Sequence, residues 1–225
     1  MLLKIISKLT FLHTIYSVYV NFIPSFLIHN FSKYMAIKKI FTNLNIDQIE
    51  GDCIEFGIFT GSSFKHTIRT ENKINKNNKT KFHGLDSFEG FPENNHPFFQ
   101  NKNFITDYSK VKKIETIYKN QAYVHKGFFK DSLNTTNDLR EINKIKFAFI
   151  DCDLYISAIE PMEFLKTRLV KGSYLMIDDF TNIDPNGNSI RDIFINTFSD
   201  HEYQITGYFG IDGVIVRYFG KDLNN

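Results

Sequence analysis

The chain has 225 residues, 42% hydrophobic and 23% charged, with 12 glycines and 5 prolines. That composition excludes collagen, coiled coil and disorder, and the length suits one large domain or one domain with an appendage. A formal net charge of +2 gives no basis for nucleic-acid binding, which rests on clustered cations that neutralise phosphates.

From Leu9 to Ser32 there is no Asp, Glu, Lys or Arg, and Lys4 and Lys8 precede this run. A cleavable signal requires a small-residue site after a short apolar core, and none follows. A membrane span needs about 20 mainly apolar residues. Here His13, Thr14, Ser17, Asn21, Pro24 and Ser25 interrupt the run, and Pro24 breaks or kinks any helix through it. Residues 1–46 are therefore expected as an aromatic-rich helical extension, a lid or a subunit contact in a homo-oligomer. Association with a membrane surface is the alternative.

Tyr34, Ile37, Ile40 and Phe41 predict a helix over Phe31–Leu44. Short apolar runs then recur at Cys53–Phe56, Phe82–Leu85, Ala122–His125, Phe147–Ile150 and Tyr174–Ile177. Helix-length segments separate them: Ser62–Asn75, Ser109–Asn120, Leu133–Asn143 and Ser157–Leu169. Apolar strands alternating with helices predict a parallel sheet covered on both faces. Tyr203–Tyr208 and Gly213–Tyr218, joined through Gly210, predict a closing antiparallel hairpin. The Lys/Asn-rich stretch Glu71–Lys81 reads as a solvated helix end and loop without a function. Cys53 and Cys152 are too few for a disulfide framework and read as small buried hydrophobes, which suits a cytoplasmic chain.

In an open α/β sheet, ligands bind beyond the carboxyl ends of the strands. Those ends carry Glu55–Ser62, Asp86–Gly90, Gly127–Phe129, Asp151–Asp153 and Asp178–Phe180, each with glycine or acid. Gly57 and Gly61 flank a strand-to-helix turn where backbone can approach a ligand. The full G-x-G-x-x-G and a P-loop lysine are both missing, which argues against a pyrophosphate. Asp86 is positioned to accept from ribose hydroxyls, and an adenosyl ligand without phosphates, S-adenosylmethionine, suits the combination. Asp151, Asp178 and Asp179 converge if their strands are neighbours, as a right-handed crossover makes them. Clustered carboxylates repel, and a hard cation such as Mg²⁺ relieves that cost. Alternatively, Asp178 and Asp179 cap a turn and Asp153 caps the helix near Ser157.

Gly51–Ser63, His83–Glu93, Phe149–Tyr155 and Met176–Phe180 together resemble the macrocin/mycinamicin-type O-methyltransferases, over roughly residues 47–218. The resemblance implies a Rossmann-like class I methyltransferase domain over 47–225, with a mostly parallel seven-stranded sheet. It implies transfer of a methyl group from S-adenosylmethionine to a sugar hydroxyl with the help of Mg²⁺, the acceptor being a small sugar or nucleotide-sugar. By the same resemblance Glu55, Gly57, Gly61, Ser62, Asp86 and Ser87 line the donor site. Gly127 and Phe128 are grouped with them, Phe128 or Phe129 packing on the adenine or simply serving the core. Asp151, Asp178 and Asp179 bind the metal, and Asp151 is the base. Cys152 stands where the family commonly has glycine, and nothing in the N-terminal segment carries over from the family. The loop Phe91–Asn103 is expected to close on the acceptor, with His96 exposed in it.

Asp151-Cys152-Asp153 also reads as the D-x-D of a metal-dependent glycosyltransferase, which leaves Glu55–Ser62 and Asp178-Asp179 without a role. A non-catalytic membrane-surface scaffold has no use for the acidic strand ends.

Overall fold

The computed structural model describes residues 10–100 and 102–220; Lys4, Lys8 and Leu9 of the expected extension, and residues 221–225, lie outside them. Helix α1 (Thr10–Val20) ends before Pro24, which occupies the N-cap of the 22-residue helix α2 (Ser25–Ile46). Proline interrupts the charge-free run as its locked φ and missing N–H require. The apolar face of α1 is open to solvent at Phe11, Ile15, Tyr16 and Tyr19. Among the described residues no helix is long and apolar enough to cross a membrane. Helix α2 turns Lys33, Ala36, Ile37, Ile40, Phe41 and Leu44 inward on one stripe, and it starts six residues before the expected Phe31.

Strands β1 (Asp52–Phe56), β2 (Phe82–Asp86), β3 (Ala122–Lys126), β4 (Ile145–Ile150) and β5 (Leu169–Ile177) pair in parallel. Strand β7 (Gly213–Tyr218) runs antiparallel between β5 and β6 (Tyr203–Phe209), giving the seven-stranded order β3-β2-β1-β4-β5-β7-β6. All of β4 is buried, as a mainly apolar strand at the centre of a covered sheet should be, its one charged residue, Lys146, included. Its residues alternate between two cores. Ile145, Ala148 and Ile150 face one with Phe56, Met162 and Phe194. Phe147 and Phe149 face the other with Ile37, Phe41 and Phe64.

The remaining helices are α3 (Ser62–Ile74), α4 (Tyr108–Ile117), α5 (Phe129–Thr135), α6 (Asn137–Arg140), α7 (Tyr155–Lys166) and α8 (Ile190–Thr197). The helix expected over Leu133–Asn143 is thus two short ones, broken at Thr136, whose ψ of 115° is extended. Asn134 and Thr135 donate to the Lys130 and Asp131 carbonyls, side-chain bonds that compete with helix continuation. Helix α8 carries a capping box, Ser189 with Asp192, a sequence signal that the strand-and-helix alternation alone did not use. The Glu71–Lys81 stretch is not wholly solvated, because Glu71 and Thr80 are buried.

Register aligns the carboxyl edge. Phe56 pairs with Leu85 and Ile150, and Ile150 pairs with Ile177. A row of bonds continues past the strand ends. Gly57 N–H donates to Leu85 O at 2.8 Å, Asp151 N–H to Phe56 O at 2.9 Å, and Asp178 N–H to Ile150 O at 2.9 Å. Gly57, Asp86, Asp151 and Asp178 therefore stand side by side along one edge.

Candidate active site

The β1 turn is built by close packing. Gly57 has φ +94°, and a Cβ there would run into the Asp151 carbonyl. Gly61, at φ +71°, is the N-cap of α3 and would press a Cβ into the Ile114 side chain. Both glycines are demanded by protein neighbours, whatever ligand also approaches. Glu55 is buried beneath the turn. Its Oε1 accepts from the Ser63 hydroxyl, its Oε2 has no hydrogen-bond partner, and burial pushes its carboxyl up to about 8. The Ser62 hydroxyl lies 3.0 Å from the Tyr34 hydroxyl of α2.

At the end of β2, Asp86 clips two loops together. Its Oδ2 accepts from Phe59 N–H at 2.8 Å and its Oδ1 from Phe88 N–H at 2.7 Å. Burial raises its pKa and these amides oppose the rise. The Ser87 hydroxyl donates to the Gly90 carbonyl at 2.6 Å. Gly127 N–H donates to the Asp86 carbonyl at 3.0 Å and leads into Phe128, the N-cap of α5. Phe129 packs edge-on against Phe56, in the core.

The acids at the ends of β4 and β5 divide into two groups. Lys33 of α2 reaches between Asp151 Oδ2 at 3.0 Å and Asp178 Oδ2 at 2.9 Å. His29, one turn earlier on α2, brings Nε2 within 3.2 Å of Asp178 Oδ2. Burial works against the ionised Asp178 carboxyl, but the bonds and charges of His29 and Lys33 prevail and hold it at about 2. The bond to Asp178 raises His29. Burial pushes Asp151 up, offset in part by the Lys33 charge. Asp179 instead interacts with the neighbouring Asp153, whose carboxyl is pushed well up by burial and by the charges of Asp151 and Asp179. Asp153 does not cap α7, whose N-cap is Leu154 without a side-chain bond.

As arranged, these residues do not fit a magnesium site. A divalent cation held by Asp151, Asp178 and Asp179 needs converging oxygens, yet an ammonium fills the space between two of them and the third faces Asp153. Among the described residues no group of three or more His, Cys, Asp or Glu is arranged to hold a metal ion. Lys33 and His29 went unassigned at the sequence level. Their signal was a charge and an imidazole four residues apart, continuing the apolar stripe of α2.

A cavity of about 390 Å³ opens at this edge. Its walls bring together Gly57, Asp86, Ser87, Phe128, Asp151 and Asp153. Glu55, Gly61, Ser62, Gly127, Asp178 and Asp179 are not among its lining residues. Phe91 and Phe104 of the following loop close one side, in an edge-to-face cluster with Phe59 and Phe99. His96 is buried in that loop, not exposed, and its Nδ1 accepts from the Phe98 and Phe99 amides. Cys152 is buried, lines the cavity, and has its thiol pushed up by burial. Non-glycine residues with positive φ follow four parallel strands: Phe59, Phe88, Asp153 and Asp179. Such strain, of order 1–3 kcal/mol each, concentrates where function requires it.

A sheet of this order, with a glycine turn and an acid at neighbouring strand ends beside a cavity, defines a Rossmann-like methyltransferase. The model of the macrocin-O-methyltransferase (TylF) family matches residues 32–199, and the chain belongs to that family. It is an S-adenosylmethionine-dependent O-methyltransferase, and the glycosyltransferase and scaffold readings fall. Among solved structures, the O-methyltransferase NovP is similar in fold, with a TM-score of 0.68 and 21% identity over 84% of this chain and 80% of NovP. The calicheamicin methyltransferase CalS11 gives a TM-score of 0.72 and 16% identity over 84% and 79% of the two chains. TomG from Streptomyces achromogenes, solved in complex with SAM, gives 0.53 and 14% over 82% and 79%. Comparison with curated proteins found no match.

Proposed function

We propose that this enzyme methylates a hydroxyl of a small sugar or nucleotide-sugar held in the cavity between the β1–β2 and β4 strand ends. One observation carries the reading: a single cavity is lined by Gly57, Asp86, Ser87 and Phe128 together with Asp151. The adenosyl group lies along the first set, with Asp86 accepting from ribose hydroxyls and Phe128 against the adenine. Glu55, Gly61, Ser62 and Gly127 shape that side from behind, Glu55 through an oxygen that has no partner within the protein. Asp151 takes the proton of the acceptor hydroxyl. The oxygen forms its bond to the methyl carbon as the carbon–sulfur bond breaks, and S-adenosylhomocysteine leaves with the electron pair. Alignment of the two reactants supplies most of the acceleration. Magnesium on Asp151, Asp178 and Asp179 enters no step, because those residues do not fit it as arranged. The sugar acceptor is supported by family membership and by CalS11, described as TDP-rhamnose 3'-O-methyltransferase.

Calorimetry tests the reading. S-adenosylhomocysteine is expected to bind whether or not UDP-glucose also does. Asp86→Ala should weaken S-adenosylhomocysteine about 10- to 100-fold, the worth of a hydrogen bond to a charged group. Heat from UDP-glucose without binding of S-adenosylhomocysteine would overturn the assignment.

A further inference from the structure

We infer that the ammonium of Lys33 serves this methyl-transfer site in place of a divalent metal, bridging Asp151 and Asp178 as a positioning residue. The inference rests on the reading above for the role of Asp151, whereas the bridge itself is a matter of geometry.

Both bonds of the bridge are short, 3.0 Å to Asp151 Oδ2 and 2.9 Å to Asp178 Oδ2. The oxygens of Asp178 are occupied besides, Oδ2 by His29 Nε2 at 3.2 Å and Oδ1 by Asp179 N–H at 3.1 Å. Asp179, the third expected ligand, is drawn to Asp153. Magnesium demands near-ideal octahedral oxygen ligation at about 2.0–2.1 Å. Set between the same two oxygens it would meet a like charge within a few ångströms, so ammonium and metal exclude each other there.

Lys33 is held in place by more than the ion pairs. Its side chain is only 10% exposed, and Nζ lies 5.2 Å from the centroid of the Phe149 ring. The helix that carries it is anchored just beyond by Ala36, Ile37, Ile40 and Phe41, all buried. To admit a metal, the ammonium would have to leave a buried position between two carboxylates, a costly separation. The cation that offsets the acidic strand ends is thus covalently part of the chain. It comes from α2, a segment preceding the first strand.

The test uses the purified full-length protein, with Mn²⁺ followed by electron paramagnetic resonance as the metal probe and S-adenosylhomocysteine binding followed by calorimetry in EDTA. Wild type should show no saturable Mn²⁺ binding at millimolar concentrations and the same S-adenosylhomocysteine affinity with or without chelator. Lys33→Ala, which uncovers the two carboxylates, should bind Mn²⁺ at least about tenfold more tightly. Lys33→Arg should keep the metal out, as wild type does. Saturable sub-millimolar Mn²⁺ binding by wild type that Asp178→Asn abolishes would overturn the inference, and this result needs no Lys33 variant to fold. So would a folded Lys33→Ala protein that takes up no Mn²⁺. Absence of S-adenosylhomocysteine binding in every protein would instead sink the methyltransferase assignment and leave the Mn²⁺ titration to judge Lys33.

Discussion

Lys33 and Lys146 are both buried and paired, and they stand at opposite edges of the same sheet. Lys146, near the start of β4, donates to Glu71 Oε1 at 2.7 Å and to Thr80 Oγ1 at 2.8 Å. One positive charge meets one negative charge and a hydroxyl, and the account is closed. Lys33 meets two carboxylates, with Asp153 and Asp179 beside them on left-handed backbone, next to an open cavity. Burial is similar at the two edges; what differs is the surplus of acid and the strain. A matched buried pair specifies the fold, whereas surplus charge and strained backbone beside a cavity mark the region where chemistry is done.

The sharpest way to separate the two edges is Asp151→Asn. Loss of a general base is expected to lower methyl transfer about 10²- to 10⁴-fold. S-adenosylhomocysteine affinity and the urea midpoint should barely move, since a repelling charge is removed. Nucleotide-activated deoxysugars as acceptors and urea denaturation provide both readings, and a collapse of stability would erase the contrast. Lys146→Met should do the opposite. It leaves Glu71 buried and unpaired at a cost of about 3–5 kcal/mol in urea denaturation, with S-adenosylhomocysteine affinity of the folded protein unchanged. Adding Glu71→Leu should recover most of that loss, because an apolar pair can replace a buried ion pair.

Gly57→Ala tests whether packing or ligand demands the glycine. Strain at φ +94° and the approach of the Asp151 carbonyl predict a loss of about 1–3 kcal/mol before any ligand is added. Unchanged stability would return the glycine to a purely ligand-facing role. The last test is acid sensitivity. His83 Nδ1 lies 3.2 Å from His125 Nε2 across β2 and β3, and burial lowers the two to about 3 and about 4. Below the ordinary value of 6.5 the unfolded chain binds protons that the folded one refuses. Stability should therefore be full above that pH and fall by about 1.4 kcal/mol per pH unit for each histidine on acidification. His83→Asn and His125→Asn should each flatten the slope of urea stability against pH.

Much of the carboxyl edge was legible in the chain. Gly57, Asp86, Asp151 and Asp178 each follow an apolar run, and parallel strands bring such positions to one edge. The use of each residue was less legible. Gly57 was read as room for a ligand, and its tightest neighbour is the Asp151 carbonyl. His96 was expected in solvent and is buried as an acceptor for two amides. Glu71, in a stretch read as solvated, ends in a buried ion pair. Spacing along the chain announces neither the carbonyl that crowds Gly57 nor the lysine that pairs with Glu71, and the His96 bonds, though local, need the folded turn of their loop.

By itself the sequence determined the alternation of strands and helices, the chain ends of the hairpin and the collection of acids after β4 and β5, because periodicity and apolar runs act within a few residues of one another. Tertiary structure alone decided which cation meets those acids. Lys33 lies 118 residues before Asp151, and only the docking of α2 against the sheet carries its ammonium there. Charges select partners through space, over a few ångströms, and the chain's order does not encode that distance.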